Sequence, residues 1–344
     1  MSEPEWVKLA DPELLKVRLC DLKMTVEDSE LSERVSALHA ELEAMGLTFR
    51  PKAYLGDEWF SPEGVPSIAI PFYLAHPRLK TLEKNMMLEV EGGTPEWCMK
   101  LLRHEAGHCF DHIYKFSKRK KWREIFGSPD MEYDPDLYHP RPYSRGFVKH
   151  IENWYAQSHP DEDFAETFAV WLTPGLDWKT EYAKWPLALQ KLTYVDGLAR
   201  EVADKPHRPV AFTGSSQPYA VSRMKRTLEA YYARRKRERA QDYPDFYDAD
   251  LRHIFNGSTD LPKRDSSAAR FMNRNRKALI DILREWTGEK KYTIDGLLKK
   301  LSLRCEALDL RMGKPEPQTC LEVAAFLSAL VTHYLFTGKF KRTL

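Results

Sequence analysis

Apolar positions recur at three- and four-residue steps over much of the chain, and this spacing predicts mostly helix. From about Glu13 to Met45 the run includes Leu31, Val35, Leu38, Leu42 and Met45, and Gly46 suits its end. Leu47 to Leu55 predicts a strand, followed by a polar, aromatic turn from Gly56 to Gly64. The short β-rich run Pro66-Ser67-Ile68-Ala69-Ile70-Pro71-Phe72 is bracketed by prolines. Proline cannot donate to a ladder, so this strand is expected at a sheet edge, where an extended peptide can add by main-chain hydrogen bonds. Trp97, Leu101, His104, Glu105 and His108 then predict a helix from about Pro95 to about Lys115, with Thr94 as N-cap and Pro95 at its first position. A proline- and tyrosine-rich loop follows over Gly127 to Tyr143. A second helix opens at Ser158 or His159, with Pro160 and three acids in its first turn, and Phe164, Phe168, Trp171 and Leu172 form its buried stripe.

The remainder reads as helices at about 219–241, 266–287, 293–311 and 317–337, after a linker at 204–218. The chain is therefore expected to hold two domains: α+β over residues 1–212, with its core at about 47–175, and all-α over residues 213–344. Charge sharpens this division. Residues 213–344 carry 26 Lys and Arg against 16 Asp and Glu, a net of +10, which leaves −8 on residues 1–212. The helix at 219–241 holds Lys225, Arg226, Arg234, Arg235, Lys236, Arg237 and Arg239, either a solvated face or a footprint for nucleic acid or a protein partner. No apolar run is read as long enough to span a bilayer, and the acidic N-terminus does not resemble a signal peptide. Five scattered cysteines without a C-x-x-C suggest neither a disulfide framework nor a zinc ribbon, and point to a reducing, cytoplasmic location.

The candidate chemistry lies in His104-Glu105-Ala106-Gly107-His108. Residues four apart share a helix face, so both imidazoles can reach one ion while Glu105 sits beside the bound water. Two zinc ligands and a carboxylate that takes a proton from that water form a metalloprotease arrangement. Glu162 and Glu166 are one turn apart on the second helix, and carboxylates held against a core need a cation or hydrogen bonds. Glu162 is the preferred third ligand, with Glu166 accepting a ring N–H from a ligand histidine. That preference is geometric and does not by itself exclude Glu166 as the direct ligand. Asp111 is a further carboxylate expected around the site. His112 lies eight residues beyond His104, about 12 Å along the axis, too far for the three histidines to share one ion. The metzincin pattern needs Gly at 111 and His at 114, where this chain has Asp111 and Tyr114, and Cys109 reads as core.

The HExxH followed by E-x-x-x-[DE] is similar to the gluzincin group of zinc peptidases. More narrowly, Ser158-His159-Pro160-Asp161-Glu162-Asp163-Phe164-Ala165-Glu166-Thr167 resembles the S-H-P-x-E-D-[FW]-A-E-T block of the bacterial "putative zinc-binding metallopeptidase" family. The resemblance covers about residues 47–235. It implies a zincin-like fold with a small edge-exposed sheet and active-site helices, a bound Zn2+, and a peptide or protein substrate. The E-x-F-A-E element also looks like that of lethal-factor-like peptidases, where a tyrosine seven residues before the third ligand helps stabilise the transition state; Tyr155 occupies that offset. Many members carry an N-terminal zinc ribbon, for which this chain has no cysteines. The rival readings are a nucleic-acid- or protein-binding chain with a vestigial zinc site, and a zinc hydrolase acting on a non-peptide amide.

Overall fold

The computed structural model describes residues 4–63, 65–132, 140–141, 143–203, 217, 219–238, 247–255, 266–338 and 340. Contacts group the chain into two units, one of residues 1–86 and 90–233 and the other of 87–89 and 234–344. The described residues are mostly helical, with one small parallel sheet.

In the first unit the helices are α1 (Asp11–Leu14), α2 (Leu31–Ala44), α3 (Pro77–Met87), α4 (Pro95–Tyr114), α5 (Lys120–Phe126), α6 (Pro160–Leu172), α7 (Trp178–Glu181), α8 (Pro186–Val202) and the start of α9 (Leu228–Glu238). The helix expected from Glu13 to Met45 is interrupted. Leu19 and Cys20 donate their N–H groups to Arg226 and Met224, and Leu228 donates to Val17, so residues 17–20 pair with a distant segment instead of continuing the helix. That pairing also draws residues 219–233 into the first unit, although the sequence reading assigned them to the second. Tyr231 is buried, donates its hydroxyl to Asp57 O at 3.0 Å and packs its ring 5.1 Å from that of Phe72.

α4 begins and ends for local reasons. The Thr94 side chain accepts from Trp97 N, Pro95 fills the first turn, and Lys115 closes the helix in the left-handed region at φ 56°. α6 is capped by His159, whose ring accepts from Asp161 N, and Pro160 opens it. α4 and α6 pack along an aromatic layer of Phe110, Phe116, Trp122, Phe164 and Phe168, all buried. At their crossing Gly107 leaves no room for a side chain: a Cβ there would lie 2.8 Å from Ala165 Cα and 2.9 Å from Ala165 O.

The sheet pairs β1 (Lys52–Gly56) and β2 (Ser67–Pro71) in parallel, with Tyr54 opposite Ala69. The expected free edge on β2 is not observed. Residues 57–63 double back along its outer side, and Phe60 and Ala69 exchange N–H···O bonds of 3.4 and 2.8 Å. Ser67 N–H is taken by Val65 O, Ser67 O accepts from the Cys109 thiol at 3.4 Å, and Pro71 has no N–H to offer. Every residue of β2 is buried. The prolines therefore mark the ends of an inner strand, covered by a strap from the same chain.

The described part of the second unit consists of α10 (Asp248–Ile254), α11 (Ala268–Thr287), α12 (Lys291–Ala307) and α13 (Glu316–Thr337) around Phe271, Leu279, Leu283, Ile294, Leu298, Leu327 and Leu330. α13 corrects one expectation: an 18-residue window in it has mean hydropathy 1.5, so by length and composition it is apolar enough to cross a membrane. Its alanines, serine and threonines conceal this when only bulky apolar residues are counted. The expected linker at 204–218 lies outside the described residues except for 217 and is not described at 218, and the loop expected over 127–143 is described only at 127–132, 140–141 and 143.

Candidate metal centre

α4 supplies His104 and His108 one turn apart, and the first turn of α6 supplies Glu162 facing them. These three form the group among the described residues able to hold an ion. His104 Nε2 is 3.0 Å from Glu162 Oε2 and 3.1 Å from His108 Nε2, and His108 Nε2 is 3.2 Å from Glu162 Oε2. Ligand atoms at ~2.05 Å from a tetrahedral zinc stand about 3.3 Å apart, so the triangle has the right size with little adjustment. Its chemistry fits as well. His104 Nδ1 donates to Glu166 Oε1 at 2.8 Å, which leaves Nε2 as a lone pair facing another ring nitrogen and a carboxylate oxygen. Three such donors converging in a largely buried space call for a cation.

Glu166 is fully buried and is itself held, since its Oε2 accepts from Ile151 N at 2.7 Å. It therefore sits behind His104, while Glu162 points into the triangle. The neighbouring acids face elsewhere. Asp163 pairs with buried Lys191 at 2.6 Å, and Lys191 also donates to Gly146 O and lies 3.9 Å over the Phe147 ring. Asp161 approaches His159 at 3.5 Å. Asp111, expected near the ligands, interacts electrostatically with His108, and its Oδ1 accepts from Ser117 N at 2.7 Å and fastens the turn after α4. His112 stacks its ring 6.1 Å from that of His108 and stands outside the ligand group.

Glu105 is buried beside the ligands, and its Oε2 accepts from the Ser61 hydroxyl at 2.8 Å. The sequence analysis missed Ser61. It lies in the turn between the strands and has no motif around it, so only the path of the strap reveals it. Tyr155 opens a 3-10 turn just before α6, and its ring centroid is 5.7 Å from that of His104. Asn153 and Trp154, just before it, hold consecutive left-handed conformations at φ 59° and 53° that side chains rarely adopt.

The carboxylates and imidazoles of this group set one another's protonation. Burial works against imidazolium at His104, but hydrogen bonds and charge from Glu162 and Glu166 outweigh it and raise the pKa. At His108 burial again opposes the charge, and Glu162 reverses the balance. Burial alone would raise Glu162, yet the two histidines hold its carboxyl well below the usual range. Glu105 behaves differently: burial raises its pKa, and the nearby histidines and the Ser61 hydroxyl only partly counter it. Burial pushes Asp163 up to about 7 in spite of Lys191.

No curated protein and no solved structure matches the chain. Residues 99–212, the segment that carries His104, Glu105, His108, Tyr155, Glu162 and Glu166, match the sequence model of the family described as "Putative zinc-binding metallo-peptidase", the family that the motifs resemble.

Proposed function

We propose that the chain is a zinc-dependent peptidase of zincin-like fold, with His104, His108 and Glu162 as metal ligands. The observation that carries this reading is the 3.0–3.2 Å triangle of their ligand atoms, with a buried carboxylate, Glu105, on the same helix. Three protein ligands leave a fourth position for water, the arrangement of a catalytic zinc rather than a closed structural one. When bound, zinc supplies Lewis-acid chemistry and lowers the pKa of a coordinated water towards neutrality. Glu105 receives the water's proton on its carboxylate and delivers it to the leaving amine. Its burial favours this role, because bulk water is kept from competing for the carboxylate. Glu166 keeps the proton of His104 on Nδ1 and so keeps Nε2 available as a ligand. The Tyr155 hydroxyl assists where negative charge develops on the substrate carbonyl oxygen.

The test combines metal analysis with cleavage. Purified protein is expected to hold about one zinc per chain, and Glu162→Ala to lose most of it. Glu105→Gln is expected to keep the zinc and to lose all cleavage of a fluorogenic peptide library. A zinc-free wild type after reconstitution, or full activity in Glu105→Gln, would overturn the reading.

A further inference from the structure

The strap over β2 does more than close the sheet. Ser61 Oγ lies 2.8 Å from Glu105 Oε2 and 3.0 Å from the main-chain oxygen of the same residue. One hydroxyl thus touches both ends of Glu105 and ties the carboxylate back along its own helical turn. We propose that Ser61 is a positioning residue for Glu105: it fixes Oε2 and leaves Oε1 as the oxygen that meets the proton. The proposal rests on the reading of Glu105 as proton acceptor and adds how that carboxylate is aimed.

Three observations favour it. First, Ser61 is itself held still. Phe60 before it is bonded to Ala69 through both N–H and C=O, and Pro62 after it has a fixed φ. Second, the surroundings leave the hydroxyl proton for the carboxylate. The Cys109 thiol gives its one proton to Ser67 O at 3.4 Å, and its sulfur, 3.6 Å from Ser61 Oγ, is a weak acceptor. The charged carboxylate is a stronger acceptor than the helical carbonyl oxygen, which belongs to the backbone ladder. Third, the arrangement is buried: Ser61 and Glu105 are each 7% exposed, so bulk water does not compete for the bond. A free glutamate side chain turns about several torsions, and fixing one oxygen narrows the positions open to the other. A bond that served only to pin the strap to α4 would need the main-chain oxygen alone. The contact to Oε2 is what a positioning role adds.

The test compares full-length wild type with Ser61→Ala, Ser61→Thr and Ser61→Cys. Zinc content and affinity are measured for each, crystal structures give the Glu105 rotamer, and kcat and KM are measured on a fluorogenic peptide substrate selected from a library. Ser61→Ala is expected to bind zinc as wild type does, to show Glu105 displaced or in several rotamers, and to lose tenfold or more in kcat with KM unchanged. Ser61→Thr, which keeps the hydroxyl, is expected to restore most of kcat. Ser61→Cys keeps the side-chain volume with a weaker donor, and takes the place of the alanine variant if that one does not fold. A single, unmoved Glu105 rotamer in the variant, or an unchanged kcat, would overturn the proposal. If wild type cleaves no peptide the peptidase reading fails, and the rotamer in the crystal still decides the part played by Ser61.

Discussion

Replacing Glu166 by glutamine isolates the step in which a carboxylate behind the site sets the state of a ligand in front. Glu166 is fully buried and accepts two hydrogen bonds, from His104 Nδ1 at 2.8 Å and from Ile151 N at 2.7 Å. Glutamine has nearly the same shape but only one oxygen. The backbone N–H of Ile151 cannot change its character, so the amide oxygen goes to it and the NH2 group meets His104. Two donors then face each other, unless the ring moves its proton to Nε2, the atom that points at Glu162 and His108. The protein binds metal only after reversing that shift. Losing one hydrogen bond to a charged acceptor costs about 1.5–3 kcal/mol. Entering wholly into metal binding, this corresponds to a loss of roughly 10–100-fold in zinc affinity, the usual range for such outer carboxylates. The assay is competition against a chromophoric chelator at pH 7.5, with Glu166→Ala alongside. Alanine leaves both donors unsatisfied and is expected to weaken binding further and to lower the melting temperature. A Glu166→Gln protein with zinc affinity within twofold of wild type would refute the reasoning.

Tyr155→Phe is expected to lower kcat with little change in KM and none in zinc content; an unchanged kcat removes the hydroxyl from the reaction. Zinc binding is expected to weaken as pH falls, already from neutral pH, because carboxylates raise the pKa values of both ligand histidines and protons compete for the same nitrogens. Calorimetry in buffers of different ionisation enthalpy should show net proton release at pH 7, and none would contradict the raised values. Lys191→Met removes the partner of buried Asp163, and the carboxyl then avoids standing as an unpaired buried charge by holding a proton. The folded pKa of Asp163, about 7, lies above its ordinary 3.8, so between these values the native state binds more protons than the unfolded one, and its contribution to stability falls as pH rises. Without Lys191 that pKa rises further, so below about pH 6 both proteins hold Asp163 protonated and the variant's deficit stays constant. Urea melts should show it growing as pH rises through 7, where only the wild type ionises; a deficit independent of pH across that range would contradict the pairing.

What could be read in the sequence follows from how local each signal is. α4 and α6 are specified by their own caps, prolines and apolar spacing, so their starts were readable without knowing the rest of the fold. The meeting of His104, His108 and Glu162 depends on how the two helices pack and was available only as a geometric preference. Features set by distant partners were not readable. The break near Val17 depends on residues 224–228, and the covering of β2 depends on Phe60 finding Ala69. Asp111 shows the same limit from the other side: its position on α4 placed it near the ligands, but its bond to the backbone N–H of Ser117 was not legible in the spacing. Ser61 carries no periodicity, charge or motif, and acquires meaning only from the atom it touches.

The contact at Gly107 bears on how the group of His104, His108 and Glu162 would receive a cation. The two helices that carry the ligands are spaced at this point by main chain against main chain, because any added carbon would lie within 3 Å of Ala165. Such a spacing has no rotamers to sample and little compressibility, so the distance between the two halves of the ligand set is fixed during folding. The ordering entropy of the triangle is then lost on folding, and a cation entering it would meet a lock already cut to size and not loose arms to be gathered around a charge.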